Sequence, residues 1–406
     1  MPRLRFPEFW DDGDWEEEKL ENLGEFTGGG TPSKSNRDYW NGNIPWISSS
    51  DVVDESIYQV NISRFISEEA LRESATKLVP PNSILLVSRV GVGKLAITVN
   101  PVCTSQDFTN FTPNKDNLIF LAYLLKSSEK SLISLNQGTS IRGFTREDIG
   151  QFKICYPCSK EQQKIADCLA AIDALITAQT QKRDALKAHK KGLMQQLFPT
   201  EGETQPQLRF PAFRDDGDWN IDLLGNKNIS SFVKDRVTLE HLCLDTYVST
   251  ENLLSDYAGI TRASRLPPSG SFTQYKKGDV LISNIRPYLK KVWSADKGGA
   301  SSNDVIVVRS GEKLDGNFLT FILKNDAFIS YVMKGAKGVK MPRGDISSMK
   351  DYPIAFPKQK EQQKIADCLT SLDALITAQT QKNDALKTHK KGLMQQLFPA
   401  MDEVAG

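Results

Sequence analysis

Two long segments of this sequence are almost the same. Residues 161–199 and 361–399 are identical at 34 of 39 positions, at a constant offset of 200. A shorter repeat, LRFPxFxDDGDW, starts at Leu4 in the first half and at Leu208 in the second. Repetition of this kind means that one structural unit is used twice. The chain is therefore a tandem duplication, and each half has an opener, a divergent block of about 140 residues and a closing segment.

The closing segment has the pattern of one long helix. Its apolar positions recur at alternating spacings of four and three, which is the heptad pattern of a coiled coil. Pro157 precedes the segment, Pro199 ends it, and Ser159 with Gln162 has the spacing of a capping box. The apolar seam predicted for the two copies is Ile165, Leu169, Ile172, Ile176, Leu186, Leu193, Ile365, Leu369, Leu372, Ile376, Leu386 and Leu393.

The middle of this seam is polar. It holds Gln179 and Arg183 in the first copy, and Gln379 and Asn383 in the second. Polar seam residues cost stability but can fix the register and the orientation of the partner helix. Near-identity over 39 positions favours pairing of the two helices with each other. The alternative is two ordinary amphipathic helices in separate cores, which would not need the same surface residues.

The divergent blocks have the patterns of mixed α and β structure. Apolar runs predict strands at residues 83–90, 279–284 and 304–309, and helices at residues 118–127 and 318–324. The blocks align only loosely. Residues 85–91, 105–107 and 143–149 parallel residues 281–287, 302–304 and 340–346, respectively. This alignment predicts one shared fold that carries two different surfaces, which suits a protein that reads two different half-sites.

The net charge of +1 hides a local imbalance. Residues 262–343 hold fifteen Lys and Arg against six Asp and Glu, and residues 64–146 hold ten against six. Local basic surface attracts phosphate whatever the global average is. The two basic stretches are therefore consistent with a nucleic-acid ligand. Charge alone is explained better by the alternative, which is the scattered lysines of ordinary surface loops.

The composition is that of a soluble globular chain, with 39% hydrophobic and 25% charged residues. No stretch approaches the ~18 apolar residues of a membrane span, and the acidic first 15 residues are unlike a secretory signal. Six cysteines in 406 residues are too few for a disulfide scaffold. We expect two or more domains, reduced thiols and a cytoplasmic location.

Three sets of motifs resemble a known family. They are residues 161–166 (EQQKIA) followed by Leu169, Ile172, Asp173 and Ile176, with the corresponding run from Glu361; residues 28–33 (GGGTPS) with Tyr39, Trp40 and residues 42–47; and residues 278–281 with residues 285–291 (IRPYLKK). With these motifs the chain resembles type I restriction–modification specificity subunits over essentially its whole length. The GGGTPS motif, Trp40 and Trp46 have no counterpart in the second half, so the two halves are expected to belong to different subclasses.

The resemblance implies an α+β fold in which two mixed α/β target-recognition domains are separated by two long repeat helices. The helices are expected to pair as an antiparallel coiled coil with pseudo-two-fold symmetry. We expect recognition domains at residues 1–156 and 200–356, spacer helices at 157–199 and 357–400, and a tail at 401–406.

The resemblance also implies a non-catalytic function. Each domain is expected to read one half of a bipartite, asymmetric site in double-stranded DNA, while the helices set the spacing and dock two methyltransferase subunits. Two motor–nuclease subunits would join for restriction. No cofactor is expected in this chain; S-adenosylmethionine, ATP and Mg²⁺ are expected in the partner subunits.

Candidate DNA contacts are the cations and polar residues of the basic stretches, because Arg and Lys pair with guanine and phosphate, and Asn pairs with adenine. Tyr288 and Trp46 are included as residues that could stack or pack. In the first domain the candidates are Thr31, Lys34, Trp46, Ser48, Ser50, Arg89, Lys94, Arg142, Thr145 and Arg146; in the second they are Arg262, Arg265, Asn284, Arg286, Tyr288, Lys290, Lys291, Lys340 and Arg343. The alternative for each Arg is a salt bridge within the protein.

No catalytic constellation is found in the sequence. The Gly-rich residues 28–31 do not form a nucleotide-binding loop, and Cys155 and Cys158 have no second CxxC to complete a zinc site. Two rival functions stay open: a single-chain methyltransferase or nuclease with fused recognition domains, and a structural coiled-coil dimer. A methyl-transfer assay tests the first rival, and light scattering with and without DNA tests the second.

Overall fold

The computed structural model describes residues 1–135 and 143–399. The chain divides into two compact units, which we call unit 1 (Met1–Gln181 with Gln381–Gly406) and unit 2 (Lys182–Thr380). Both units mix helices with sheets. Among the described residues, no helix combines the length and the apolar content that crossing a bilayer would require.

The elements of the first half run in chain order from strand β1 to the long helix α6. Their bounds are β1 Glu16–Lys19, α1 Leu20–Leu23, β2 Gly24–Gly28, β3 Ile44–Ile47, β4 Arg64–Ile66, α2 Glu68–Glu73, β5 Leu78–Val79, β6 Ser83–Leu86, β7 Leu95–Thr98, β8 Val102–Thr104, β9 Thr109–Pro113, α3 Leu118–Ser127, α4 Glu129–Ser134, α5 Arg146–Gly150, β10 Lys153–Tyr156 and α6 Ser159–Leu197.

The second half repeats this order with fewer helices. Its elements are β11 Asn220–Leu223, β12 Ser230–Phe232, β13 Arg236–Val237, β14 Tyr247–Val248, β15 Phe272–Tyr275, β16 Val280–Ser283, β17 Val292–Ser294, β18 Gly299–Ser301, β19 Val305–Ser310, α7 Gly316–Leu323, α8 Asp326–Lys334, α9 Ile346–Lys350, β20 Pro353–Phe356 and α10 Gln359–Leu397.

The main sheet has the same topology in both units. Its strand order is β2-β9-β6-β7 in unit 1 and β12-β19-β16-β17 in unit 2, antiparallel throughout. A two-stranded sheet also recurs, β1 with β10 and β11 with β20. The duplication seen in the repeats therefore extends through the divergent blocks.

The second four-stranded sheet is where the units differ. Three strands match, because β3 pairs parallel with β8 as β14 does with β18, and β5 pairs antiparallel with β8 as β15 does with β18. The fourth strand is added at opposite edges, as β4 beside β3 in unit 1 and as β13 beside β15 in unit 2. The GGGTPS motif and Trp40 lie in the segment between β2 and β3, and Trp46 pairs with Arg64 of the added strand β4.

The central strands of the main sheet are covered on both faces. Along β6, Ile84 and Leu86 pack with α3, while Leu85 packs against residues of the second sheet. In β16, Val280 and Leu281 divide in the same way. A strand buried on both faces reads as a continuous apolar run, which is why the sequence pattern located these strands.

The opener of each half is clamped to the start of the long helix that closes the same half. Arg5 donates from Nε and Nη2 to the two carboxylate oxygens of Glu161, at 2.9 and 2.8 Å. Arg209 does the same to Glu361, at 2.8 Å in both bonds. Both glutamates are 1% exposed. These buried bidentate pairs explain why the opener is repeated along with the helix.

The first turn of each long helix is anchored by a glutamine. The side chain of Gln162 accepts from the backbone N–H of Asn117, which caps α3, and donates to the Pro157 carbonyl. Gln362 repeats both bonds with Asp315 and Pro357. Ser159 is the first residue of α6. The predicted capping box is therefore wrong, because Ser159 lies within the helix and the Gln162 side chain bonds to Asn117 and Pro157 instead.

The two long helices contact each other in antiparallel register within each unit. In unit 1, Lys390 pairs with Asp173 at 2.7 Å, and the amide nitrogen of Asn383 donates to the Thr180 hydroxyl at 2.9 Å. From Asp173 to Thr180 the chain advances seven residues along α6, while their partners step back seven residues along α10, from Lys390 to Asn383. The two helices are therefore antiparallel. In unit 2, Lys190 pairs with Asp373 at 2.6 Å in the same register.

The predicted seam residues lie at these contacts. Ile165 and Leu169 are buried in the unit 1 core, where Leu393 packs, and Ile365 and Leu369 are buried in the unit 2 core, where Leu193 packs. The remaining seam residues are half-buried: Ile172, Ile176, Leu186, Leu372, Ile376 and Leu386.

An aromatic ring from α3 or α7 covers each interhelical ion pair. In unit 1, Lys390 lies over the ring of Tyr123, whose hydroxyl donates to Asp173. Burial, and then the hydrogen bond to this carboxylate, raise the pKa of the Tyr123 phenol well above its usual range, so it stays a donor. In unit 2, Lys190 lies over Phe321. The helices and the sheet layer therefore share one core in each unit.

The predicted elements are present, with shifted ends. The helix predicted at residues 118–127 matches α3, whereas the strand predicted at 83–90 ends at Leu86. It ends there because Val87 makes only an isolated bridge to Phe108, and Ser88 turns to donate to the Asp107 carbonyl. The predictions at 279–284, 304–309 and 318–324 correspond to β16, β19 and α7.

Candidate nucleic-acid interface

Three segments of unit 2 meet where β16 ends. The backbone N–H of Asn284 donates to the Asp304 carbonyl at 2.8 Å, and its own carbonyl accepts from Gly344 at 3.0 Å. Arg286 N–H donates to the Pro342 carbonyl at 2.8 Å. We call the surface formed by residues 284–290, 302–304 and 337–344 the unit 2 loop cluster.

Unit 1 has the same scaffold at the end of β6. Ser88 N–H donates to the Asp107 carbonyl at 2.7 Å, and the Ser88 carbonyl accepts from Phe144 at 3.0 Å. These bonds match those of Asn284 with Asp304 and Gly344. We call residues 88–94, 105–107 and 143–146 the unit 1 loop cluster.

This match corrects the alignment of the last stretch. Residues 143–149 were aligned with 340–346, but Phe144 is equivalent to Gly344 by its hydrogen bond. Thr145 caps α5 as Asp345 caps α9. The offset from this loop onward is therefore 200 rather than 197, because the caps and the repeated helices share one register.

The backbone of the unit 2 loop cluster is unusual. Arg286 and Lys290 have φ of +51° and +53° and flank a 3-10 turn, Pro287–Leu289. Non-glycine residues rarely adopt this region, and such conformations concentrate at functional sites. In unit 1 the equivalent bend uses Gly91 and Gly93, both at φ +91°. The two clusters thus reach a similar turn with different side chains.

Several predicted cations have no acidic partner within the part of the chain that is described. In the unit 1 loop cluster these are Arg89, Lys94 and Arg146, and in unit 2 they are Arg286 and Lys340. Lys34 is also exposed without an ion pair among the described residues. Most of these side chains are exposed, and Lys94 is half-buried. Cations without internal partners are free to contact phosphates or base edges.

Other predicted cations form ion pairs or hydrogen bonds inside the protein. The ion pairs are Arg262–Asp245, Arg265–Glu251, Lys290–Asp326 and Arg343–Asp304, and Lys291 donates to the Thr250 carbonyl. Surface pairs contribute only about 0–1 kcal/mol. Pairs this weak can open when a phosphate binds. These residues are nevertheless weaker candidates for DNA contacts than the unpaired cations. Tyr288 is 49% exposed beside Arg286.

Two predicted contacts are corrected by burial. Trp46 is 2% exposed, donates to the Gly30 carbonyl and lies against Trp40 and Arg64, so it packs inside unit 1 and does not face DNA. The amide oxygen of Asn284 is also buried and has no hydrogen-bond partner among the described atoms. Its carboxamide therefore does not present both polar atoms, as a bidentate adenine contact requires.

The small polar candidates mostly hold local structure. Ser48 accepts from Arg64 and forms the capping box of the turn Ser49–Asp51, and its hydroxyl also bonds to Ser50. Thr145 is the N-cap of α5, and Thr31 donates to Gln106. Arg142 lies outside the described residues.

Sequence reasoning missed two apolar residues of the unit 2 loop cluster. Val339 is fully exposed and Met341 is 50% exposed. The signal was an apolar pair around Lys340, between Gly338 and Pro342. Lys337 donates to Asp345 and lowers the pKa of that carboxyl, so the base of this loop is held by a charged pair.

The described residues show no arrangement for metal chemistry. No group of three or more His, Cys, Asp or Glu side chains in them is placed to hold a metal ion, and the six cysteines are free thiols.

A family model described as the type I restriction modification DNA specificity domain matches residues 12–188 and 255–388. Together these ranges cover more than half of the chain. The chain belongs to the type I restriction–modification specificity subunits. It is a DNA sequence-recognition subunit with two recognition domains, and not the catalytic part of its enzyme.

Curated relatives agree with this family. The MjaIX specificity subunit of Methanocaldococcus jannaschii is 26% identical over 412 residues, covering 95% of this chain and 92% of the relative. The EcoR124I/EcoR124II specificity subunit of Escherichia coli is 34% identical over 182 residues, or 42% of this chain and 44% of the relative.

Solved structures show the same fold at low sequence identity. The type I restriction–modification S subunit from M. genitalium has a TM-score of 0.63 at 15% identity, covering 98% of this chain and 99% of that one. A chain from a study of complex assembly and conformational transition of a type I system has a TM-score of 0.57, also at 15% identity, covering 98% and 100%.

Proposed function

We propose that the unit 1 and unit 2 loop clusters are the DNA-reading surfaces of this specificity subunit, and that each reads one half of a bipartite, asymmetric site. The supporting observation is the shared backbone scaffold at the ends of β6 and β16, which carries different side chains in the two units. A constant scaffold with two side-chain sets suits two unlike half-sites in double-stranded DNA.

The cations without internal partners, which are Lys34 and those of the two clusters, are the proposed DNA contacts. Arg286 and Arg89 are proposed to read guanine in the major groove, where a guanidinium can bond to O6 and N7 together. Lys34, Lys94 and Lys340 are proposed phosphate contacts, which hold the protein on the duplex without reading it. The paired cations Arg262, Arg265, Lys290, Lys291 and Arg343 are proposed to add general attraction.

The long helices are proposed to set the unread gap and to dock two methyltransferase subunits, with two motor–nuclease subunits joining for restriction. S-adenosylmethionine, ATP and Mg²⁺ would be bound by those partners. The proposed boundaries are recognition domains at residues 1–156 and 200–356, spacer helices at 157–199 and 357–400, and a tail at 401–406. We propose that the assembly acts in the cytoplasm.

Exchange of the second divergent block tests the modular reading. We expect that replacing residues 220–353 with the block of another family member changes one half-site and leaves the other intact, because the unit 1 loop cluster is untouched. The measurement is sequencing of methylated adenines after purification with the methyltransferase partner. If both half-sites changed together, the two units would not be independent readers.

Substitution of Arg286 tests direct reading. We expect Arg286→Ala to weaken binding to the target by ~1–3 kcal/mol and to relax one position of one half-site, and Arg286→Lys to restore only part of this loss. The backbone should be unaffected, since the positive φ at position 286 is about equally unfavourable for alanine and for arginine. Binding titrations with single-base variants of the site measure the effect.

Lys277 supplies the matched control. It is an exposed lysine without an ion pair among the described residues, and it lies before β16, at the end opposite to Arg286. Lys277→Ala removes the same charge, so it should change target binding much less than Arg286→Ala. Equal losses in the two variants would mean that Arg286 acts only through net charge.

A further inference from the structure

The most exposed apolar side chains of the unit 2 loop cluster lie on a small hairpin. Lys337 and Arg343 exchange two backbone hydrogen bonds of 2.9 Å, which closes the loop of residues 338–342 between them. We call these five residues the hairpin tip. Gly338 has φ +96° and permits the turn.

The base of the hairpin is fixed to the rest of the unit 2 loop cluster. Ile285 bridges to Arg343, and Arg286 N–H donates to the Pro342 carbonyl at 2.8 Å. Two ion pairs add to this, Lys337 with Asp345 at 2.7 Å and Arg343 with Asp304 at 3.0 Å. The tip therefore projects from an anchored base.

The tip exposes apolar surface beside free cations. Val339 is fully exposed and Met341 is half-exposed, whereas Pro342 is buried. Two cations near these residues have no ion pair among the described residues. They are Lys340, which lies between the two apolar residues in sequence, and Arg286, whose N–H bonds to Pro342. A fully exposed valine forgoes its burial free energy, and a second exposed apolar residue two positions away forms a small patch with it.

We propose that the hairpin tip enters a groove of the bound DNA, and that Val339 and Met341 contact apolar base surface there. This rests on the function proposed above. Two base surfaces have this chemistry: the methyl group of thymine in the major groove, and the face of a base at a step that an apolar side chain has opened. Lys340 and Arg286 would then contact the flanking DNA.

Charge favours DNA over a protein partner as the occupant. The tip holds no acidic residue, and the two nearby carboxylates, Asp345 and Asp304, are neutralised by Lys337 and Arg343. The free charges around the patch are therefore positive. A phosphate backbone complements such a surface on both sides of a groove.

The test is a polar double substitution with a matched control. The variant Val339→Ser/Met341→Ser, purified as the full chain with its methyltransferase partner, should bind a duplex carrying the mapped site about tenfold more weakly, and a duplex without the site almost as before. Val99→Ser is the control, because Val99 is 68% exposed but follows β7, at the end of the main sheet away from the unit 1 loop cluster.

Two further duplexes identify the base surface. Deoxyuridine in place of a thymine removes one methyl group, and it should weaken the parent protein but not the double variant if that methyl is the contact. 2-Aminopurine placed along the second half-site should brighten with the parent protein only, if the tip opens a base step. Either response supports the inference.

The contrary outcomes are distinct from failure of the proposed function. Unchanged target binding by the double variant overturns the inference, and so does weaker binding when neither modified duplex responds. Loss of the methyltransferase complex, with DNA binding intact, would assign the tip to a protein contact instead. In each case Arg286→Ala can still relax one half-site, which tests the reading function separately.

Discussion

A four-residue insertion in α6 between Gln179 and Lys182 is expected to disrupt the enzyme more than the same insertion made in both long helices. Four residues add about 6 Å of helix. The Lys390–Asp173 pair lies on one side of the insertion point and the Lys190–Asp373 pair on the other. Because α10 keeps its length, a single insertion cannot preserve both pairs.

A matched insertion between Gln379 and Lys382 should restore pairing better than either insertion alone. Each helix is then longer by the same amount, so the stretches between the two ion pairs again have equal lengths. The unread gap in the DNA site should lengthen by about one or two base pairs, at ~3.4 Å per base pair. The bases read at each end should stay the same, since the loop clusters are unchanged.

Sequencing of methylated sites from the parent protein, the two single-insertion variants and the matched variant measures this effect. The single insertions also turn the apolar seam beyond Leu186 away from its partner, because four residues break the seven-residue phase. An active matched variant with an unchanged gap would show that the helices do not set the spacing. A changed half-site would show that they take part in reading.

Loss of the opener clamp is expected to destabilise one unit strongly. Arg5→Ala leaves the Glu161 carboxylate buried without its partner, and removal of one member of a buried pair costs about 3–5 kcal/mol. Arg209→Ala should do the same through Glu361. Hydrogen exchange locates the effect: Arg5→Ala should increase exchange in α3, and Arg209→Ala in α7.

Two further variants test whether burial of the Arg5–Glu161 pair causes the loss of stability. Lys164→Ala breaks an exposed pair with Glu8 in the same region, and it should destabilise the protein far less than Arg5→Ala because water screens this pair. The double variant Arg5→Met/Glu161→Leu removes both buried charges and should be more stable than Arg5→Ala. Equal destabilisation by Lys164→Ala and Arg5→Ala in urea unfolding would show that burial adds nothing to the clamp.

The elements that bury apolar surface could be predicted from the sequence. The sequence located α6 and α10 to within three residues at each end, and the run at residues 118–127 matched α3. Burial of one face requires apolar side chains at regular spacing, and this spacing is visible in the sequence. The antiparallel register was implied only by the family resemblance, because a heptad pattern fits either direction.

The loop clusters were harder to predict. The sequence does not distinguish an unpaired Arg, such as Arg286, from one in an ion pair, such as Arg262 with Asp245. The sequence left open whether Trp46 stacks on DNA or packs in the protein, and the structure buries it around β3. The three-residue error in aligning the stretch at 143 arose because loops have no periodicity, and only the hydrogen bonds to Ser88 and Asn284 reveal the equivalence.

The crossed ion pairs also bear on how such a gene can change. Each repeat supplies the aspartate of one unit and the lysine of the other, so Asp173 depends on Lys390, and Asp373 on Lys190. A substitution at one of these four positions breaks a pair to which both repeats contribute. Selection for these pairs therefore acts on the two repeats together. Mutual dependence of this kind favours similarity between two duplicated segments while the surfaces that they support diverge.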